Sequence, residues 1–271
     1  MLRELTEEEK AKPFAKYFHR PMTPAPQEIY EILDKGPIDP SLALGIKDRN
    51  DLLNPGYLPC ERGFCLMPDG TGFIAMLTEM PGVTMEMIDW WFVWHGLEDL
   101  RYSIWCPDDH LGIHVRPEDL DRRLDTSLSM KERNWNTTDV VYEDIGTGPM
   151  SLDISFMSPK DYGYDMSRFN EPYTLGAVSA NLGISETKTP MVTFTHFGRA
   201  IEGGIEIRSR FWLGWQIRDK EPVIVHNNIP LELVKGLAHH CPKEYSNLAA
   251  ILPSVYAENH QVADRIDDFR Q

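Results

Sequence analysis

"PLELVKGLAHHCPKEYSNLAAIL", residues 230–252, is the stretch on which the reading of this chain turns. Its apolar residues recur at helical spacing. Pro230 suits a first turn, where a missing N–H removes no helix bond. On a helix, Leu233, Leu237, His240, Glu244, Leu248 and Ile251 fall at steps of three or four and form one stripe. A histidine and a glutamate therefore sit in the face that should meet the core, while His239 points elsewhere and is assigned to the surface. An unpaired buried carboxylate is costly, so Glu244 needs a cation. His240 can serve alone, in a plain buried His–Glu hydrogen bond. A bound metal would serve better, because an i, i+4 pair aims two ligand atoms at one spot. Pro242 lies between them; it removes a backbone bond and predicts a kink or break.

The helix needs a surface to cover. "LRYSIW", "TTDVVYEDIG", "MSLDISFMS", "YTLGAVSANLG", "PMVTFTHFGRA" and "GIEIRSRFWLGWQI" are strand-like and broken by Gly, Pro and Asp. Strands in succession without long intervening helices imply an antiparallel sheet. The class is therefore α+β: a curved antiparallel sheet closed by one long C-terminal helix, with room for a cavity between them. Before the sheet, residues 1–80 read as short helices and Pro/Gly-punctuated loops, with a helix in "PQEIYEILDKG" and a strand at residues 73–78. In "PGVTMEMIDWWFVWHG", Thr84 is the expected N-cap of a helix from Met85 to about His95, with Gly96 as its stop. Met87, Ile88, Trp91, Phe92 and Trp94 leave that helix little polar surface, so it should be buried on most sides.

Composition narrows the partners. The chain has 271 residues, 42% of them hydrophobic, enough for one large domain or a core domain with a smaller companion. Lys+Arg 27 against Asp+Glu 42 gives a net charge of −15, which argues against nucleic acid or an anionic membrane as partner. Seven Trp and ten Tyr suit an aromatic core or a cavity for a flat aromatic ligand. The start, "MLRELTEEEKAKPFAKYF", lacks an apolar signal region, and no apolar run reaches the ~18 residues of a membrane span. Cys60, Cys65, Cys106 and Cys241 are then expected as reduced thiols and the chain as cytoplasmic.

Other polar groups share apolar faces. Val192, Phe194 and His196 alternate onto one side of their strand, and Val141, Glu143 and Ile145 onto one side of theirs. "YSIWCPDDHLGIH" offers Asp108, Asp109, His110 and His114 just after a strand. Taken singly, each has a plainer reading: a core histidine, a glutamate on a half-wet edge strand, a solvated loop. Together they supply histidine and carboxylate donors of the kind that zinc accepts, and manganese or iron as well.

"PGVTMEMIDWWFVWH", "LRYSIWCPDDH", the glutamate of "VVYEDIG", "THFGRA", "RSRFWLGW" and "HHCPKE" resemble the diacetylphloroglucinol hydrolase and phloretin hydrolase family over about residues 81–245. The resemblance implies a Bet v 1-like helix-grip domain, set at 96–271, behind a small, mostly helical N-terminal domain at 1–95, and a homodimer. It implies a catalytic Zn2+ held by His110, Glu143, His240 and Glu244, with His110 preferred to His114 by its place eight residues after Tyr102. It assigns His196 as active-site acid/base and Tyr102 as a substrate-holding hydroxyl. Two positions depart from the family: Ile113 where a polar amide can stand, and Phe211 where a second tyrosine would stand. Both remove hydrogen-bond partners and favour a bulkier, less polar acyl arm, as in a dihydrochalcone. Trp91 and Phe211 are expected to wall the substrate ring; Trp212, by alternation, faces the other way. The implied reaction is zinc-dependent hydrolysis of the C–C bond between a polyhydroxylated ring and an acyl carbonyl, on a small aromatic ketone. The rival expectation is a non-enzymatic binder of an apolar aromatic ligand, since fold alone does not fix function.

Overall fold

Alternating apolar residues in the second half of the chain assemble one antiparallel sheet. The computed structural model describes residues 2–145, 148–169, 173–262 and 264. Its elements run α1 (Glu7–Lys10), α2 (Ala15–Phe18), α3 (Gln27–Leu33), β1 (Gly63–Leu66), β2 (Gly72–Pro81), α4 (Met85–Trp94), α5 (Asp99–Ser103) and β3 (His110–Val115). They continue with α6 (Leu120–Arg123), α7 (Met130–Asn134), β4 (Thr138–Asp144), β5 (Pro149–Met157), β6 (Gly176–Ile184), β7 (Thr189–Ile201), β8 (Gly204–Leu213), β9 (Trp215–Arg218), β10 (Glu221–Ile224) and α8 (Leu231–Asn259). The sheet has eight strands in the order β1-β2-β8-β7-β6-β5-β4-β3, every pair antiparallel. β9 and β10 form a separate hairpin. Among the described residues no helix is long and apolar enough to cross a membrane.

The two faces of the sheet bury different cores. One packs against α8 and α4 and includes Ile207, Phe211 and Leu213 of β8 with Leu237, Leu248 and Ile251 of α8. The other, with Phe73, Phe197 and Trp212, is covered by the segments around Leu44–Leu53 and Tyr162–Tyr164. Trp212 donates its indole N–H to the Leu44 carbonyl at 2.8 Å, so it faces away from α8 as alternation requires. On that side Glu61 receives Arg208 and Arg210, each at 2.5 Å, and both arginines are fully buried. This pinning of a loop onto β8 leaves the opposite face of the strand free to line a cavity.

Thr84 caps α4 as expected, its hydroxyl accepting from the Met87 N–H at 3.3 Å. Buried Arg123 then ties α4 to β4: its guanidinium pairs with Asp139 at 2.7 Å and donates to the Phe92 carbonyl at 3.2 Å. Gly96 is needed for this approach, because a Cβ there would run into the Arg123 guanidinium.

Two expectations change. "LRYSIW" is not a strand: residues 99–103 form α5, and Leu100, Arg101, Tyr102 and Ser103 are all buried, so no polar face marked the helix. His110 consequently opens β3 rather than following a strand. The backbone stays helical through both Pro242 and Pro253, with no break; packing of the buried face against β2 and α4 holds the helix together despite the lost bonds. The sheet also takes β1 and β2 from the N-terminal side of residue 95, because β2 pairs with β8 along its whole length. Met1 and Gln271, the outer limits of that division, and Gly146, the last residue of "TTDVVYEDIG", lie outside the described residues.

Leu248 sits fully buried where α8 meets the sheet. Replacing it with alanine should lower the unfolding free energy by about 2–5 kcal/mol in urea titrations followed by circular dichroism; a change near zero would mean that α8 is not the lid of this core.

Candidate metal centre

Sheet register and helix spacing converge on one point. In the β3–β4 ladder His110 lies directly opposite Glu143. From α8, one turn apart, come His240 and Glu244. His110 Nε2 is 3.4 Å from Glu244 Oε2 and 3.8 Å from Glu143 Oε2, and His240 Nε2 is 3.7 Å from Glu244 Oε2. All four side chains are buried. Donor atoms of His110, Glu143 and His240 lie within 4.8 Å of one another.

The hydrogen bonds around this group fit a cation. His110 Nδ1 meets the Tyr102 carbonyl at 3.3 Å, and a carbonyl only accepts, so Nδ1 carries the proton. Its Nε2 is buried without a hydrogen-bond partner and is turned toward two carboxylates. Carboxylates gathered in a dry site are costly unless positive charge lies among them. Burial opposes charge on His240, yet Glu244 and Asp109 push its ring up to about 10. Burial likewise works against ionised Glu244, but His240 and His110 hold it down to about 2. Two carboxylates and two imidazoles aimed at one spot suit a divalent metal with mixed nitrogen and oxygen ligands.

The cluster borders a cavity of about 70 Å³ between sheet and helix. Glu143, His240 and Glu244 line it, with Tyr102, Ile113, His196 and Phe211; aromatic walls come from Phe92, Trp105, Phe156 and Phe194. His110 lies behind Tyr102, the two rings stacked 4.0 Å apart and within 4° of parallel. The Tyr102 hydroxyl donates to Glu143, and burial together with that carboxylate raises its pKa well above the usual phenol value. His196 bonds through Nδ1 to the Ser209 hydroxyl at 2.8 Å, and burial pushes its ring down to about 4, so it is neutral near pH 7.

The faces read from strand alternation are those observed. Val192, Phe194 and His196 point into the cavity together, as do Val141, Glu143 and Ile145. Leu233 and Leu237 join His240 and Glu244 on the lining face of α8. His114 is exposed, and His239 sits on the outer side with Asp34 at 3.3 Å. Trp91 is a correction: its ring does not line the cavity but packs against His95 and Trp105, because Phe92 and His95 occupy the inward side of that helix. His95 was read only as a helix end. It lines the cavity, and its Nδ1–H donates to the Trp91 carbonyl at 2.7 Å, leaving Nε2 as an acceptor. Its position three residues after Phe92 was the available signal. Asp139 also reaches the cavity wall, neutralised by Arg123.

The fold and site define an α+β protein in which a buried His/Glu set that could hold a metal ion opens onto an aromatic-walled cavity. The DAPG hydrolase PhiG domain family model matches residues 44–257. The chain is 38% identical over 261 residues to a phloretin hydrolase of Eubacterium ramulus, covering 93% of this chain and 92% of the relative. It is 30% identical over 265 residues to 2,4-diacetylphloroglucinol hydrolases of a Pseudomonas sp and of Pseudomonas protegens, covering 91% of this chain and 88% and 84% of the relatives. The chain belongs to the DAPG hydrolase family.

Protein purified without added metal should carry about one divalent ion per chain, and His240→Ala little, by elemental mass spectrometry. Equal metal in both proteins would move the ion elsewhere.

Proposed function

We propose that the protein is a zinc-dependent hydrolase of acylphloroglucinols. It cleaves the C–C bond between a trihydroxylated ring and an acyl carbonyl, with phloretin preferred to diacetylphloroglucinol. The observation that carries this is the buried His/Glu cluster bordering the aromatic cavity; the names of the relatives as phloretin and 2,4-diacetylphloroglucinol hydrolases agree with it. The fold proposed with it is the Bet v 1-like helix-grip, in which α8 clasps the sheet across the site. The metal ligands in this reading are His110, Glu143, His240 and Glu244.

The difficulty in such a reaction is the leaving group, a ring carbanion. Hydroxyls ortho and para to the acyl group let the ring take its keto form, protonated at the acyl-bearing carbon. Cleavage then releases an enolate of the ring, a far more stable anion. Water supplies OH to the acyl carbon; the new ring C–H takes the proton of a ring hydroxyl, and the other hydrogen of water restores that hydroxyl. The products are a polyhydroxybenzene and a carboxylic acid, and the atoms balance. Zinc, when bound, supplies Lewis acidity toward a substrate oxygen and lowers the pKa of water toward neutrality.

The chain's own groups do the rest. His196 is neutral at working pH and is the residue that moves the proton at the ring carbon or the water. Tyr102, beside Glu143, holds a ring or acyl oxygen. Phe211 and Ile113 offer no hydrogen bond at places where a polar side chain would hold a small acyl group. Together with Leu213, Leu233 and Leu237 they leave an apolar bed for an aryl-alkyl arm. Half-buried Ile154, Met191 and Leu233 also border this cavity.

Zinc-loaded protein should convert phloretin to phloroglucinol and 3-(4-hydroxyphenyl)propanoate in equal amounts, followed by chromatography. His196→Gln should lower kcat about 10²–10⁴-fold while keeping its metal. Metal-replete protein that yields no acid and phenol from either phloretin or diacetylphloroglucinol would contradict the proposal.

A further inference from the structure

Two donor clusters share His240, and they use different nitrogens of its ring. Nε2 faces Glu244 at 3.7 Å and belongs with His110 and Glu143. Nδ1 faces the other way, 3.0 Å from Asp109 Oδ2, where Cys106 completes a second group of possible ligands. That second group is already supplied with a cation. Lys243 Nζ donates to both Asp109 oxygens, at 2.9 and 3.0 Å, and stands 3.3 Å from Asp108. The Cys106 thiol also donates to Asp109, at 3.4 Å. An ammonium and a thiol proton occupy the space that a metal ion would need.

Asp109 is fixed from several sides. Its N–H donates to the Cys106 carbonyl at 3.0 Å, and its carbonyl accepts from the Asp144 N–H at 3.0 Å. It therefore adjoins His110 in sequence, is bonded to the residue after Glu143, and bonds His240 through its side chain. Its partner Lys243 is the residue before Glu244. One ion pair thus bears on all four proposed ligands. It draws the β3–β4 end of the sheet onto α8 and sets the ring of His240.

We propose that Asp109, braced by Lys243, is a positioning residue of the metal centre. Its carboxylate accepts the Nδ1–H of His240 and so orients that ring with Nε2, the nitrogen left for a metal, turned toward His110, Glu143 and Glu244. A carboxylate behind a ligating histidine locks the ring and makes it a stronger donor. Exposed ion pairs contribute little, but Asp109 and Lys243 are partly buried and joined through two hydrogen bonds. This inference rests on the metal-centre reading given above.

The test is zinc affinity, measured by competition with a chromogenic chelator on the full chain freed of metal. Parent, Asp109→Asn and Asp109→Ala are compared, and visible spectra of the cobalt-substituted proteins are recorded. Asp109→Asn keeps the side-chain volume and guards against a folding defect in Asp109→Ala; circular dichroism checks both. Both variants should bind zinc about 10–100-fold more weakly, with shifted cobalt bands. A structural role alone would lower the unfolding midpoint and leave the cobalt spectrum of the loaded protein unchanged. Zinc affinity within about twofold of the parent in both variants, with unchanged cobalt bands, would overturn the role of Asp109 and leave the metal centre standing. A parent that takes up neither zinc nor cobalt would overturn the metal centre, and this role with it.

Discussion

The burial of Glu244 in the apolar face of α8 is the constraint on which the rest of the structure depends. A carboxylate carried into a core by the same stripe that holds Leu237 and Leu248 must be answered with positive charge. His240, one turn away, does not face Glu244 alone, because β3 and β4 bring in His110 and a second carboxylate, Glu143. The geometry of this donor set follows from two regular elements, an antiparallel ladder and an α-helix, rather than from a flexible loop. Sites built this way hold their ligand positions with little adjustment.

The wall of aromatic side chains has a related cause. α4 is apolar on nearly all sides, so it can be wedged between the N-terminal segments and the sheet, where it adds Phe92 and His95 to the cavity. The Arg123–Asp139 pair keeps it in place from below without bringing net charge into the site. The enclosing walls keep bulk water away from the donors and strengthen every electrostatic interaction among them. The two neutral histidines of the cavity, His95 and His196, are consequences of the same dryness.

Much of this was legible in the chain. Period-two alternation placed Glu143, His196 and Phe211 on inward faces, and period-three-four spacing placed His240 and Glu244, because burial of one face leaves a periodic trace. The trace fails where burial is complete. Residues 100–103 are buried on every side, so their helix looked like a strand, and the inward and outward sides of α4 could not be told apart, which put Trp91 in the cavity in place of His95. No break follows at Pro242 because tertiary packing, invisible in sequence, holds the backbone across the missing bond. The pairing of His110 with Glu143 is a matter of register, and the bulge after His110 shifts that register in a way no local pattern encodes.

The central claim is that one metal ion sits among His110, Glu143, His240 and Glu244. Anomalous diffraction at the zinc edge, from crystals grown without chelator, tests it most directly. The expected result is a single strong peak about 2.0–2.2 Å from the Nε2 atoms of both histidines and from a carboxylate oxygen of each glutamate. A peak between Cys106 and Asp109 instead, or zinc-loaded protein with no peak near these four side chains, would contradict it.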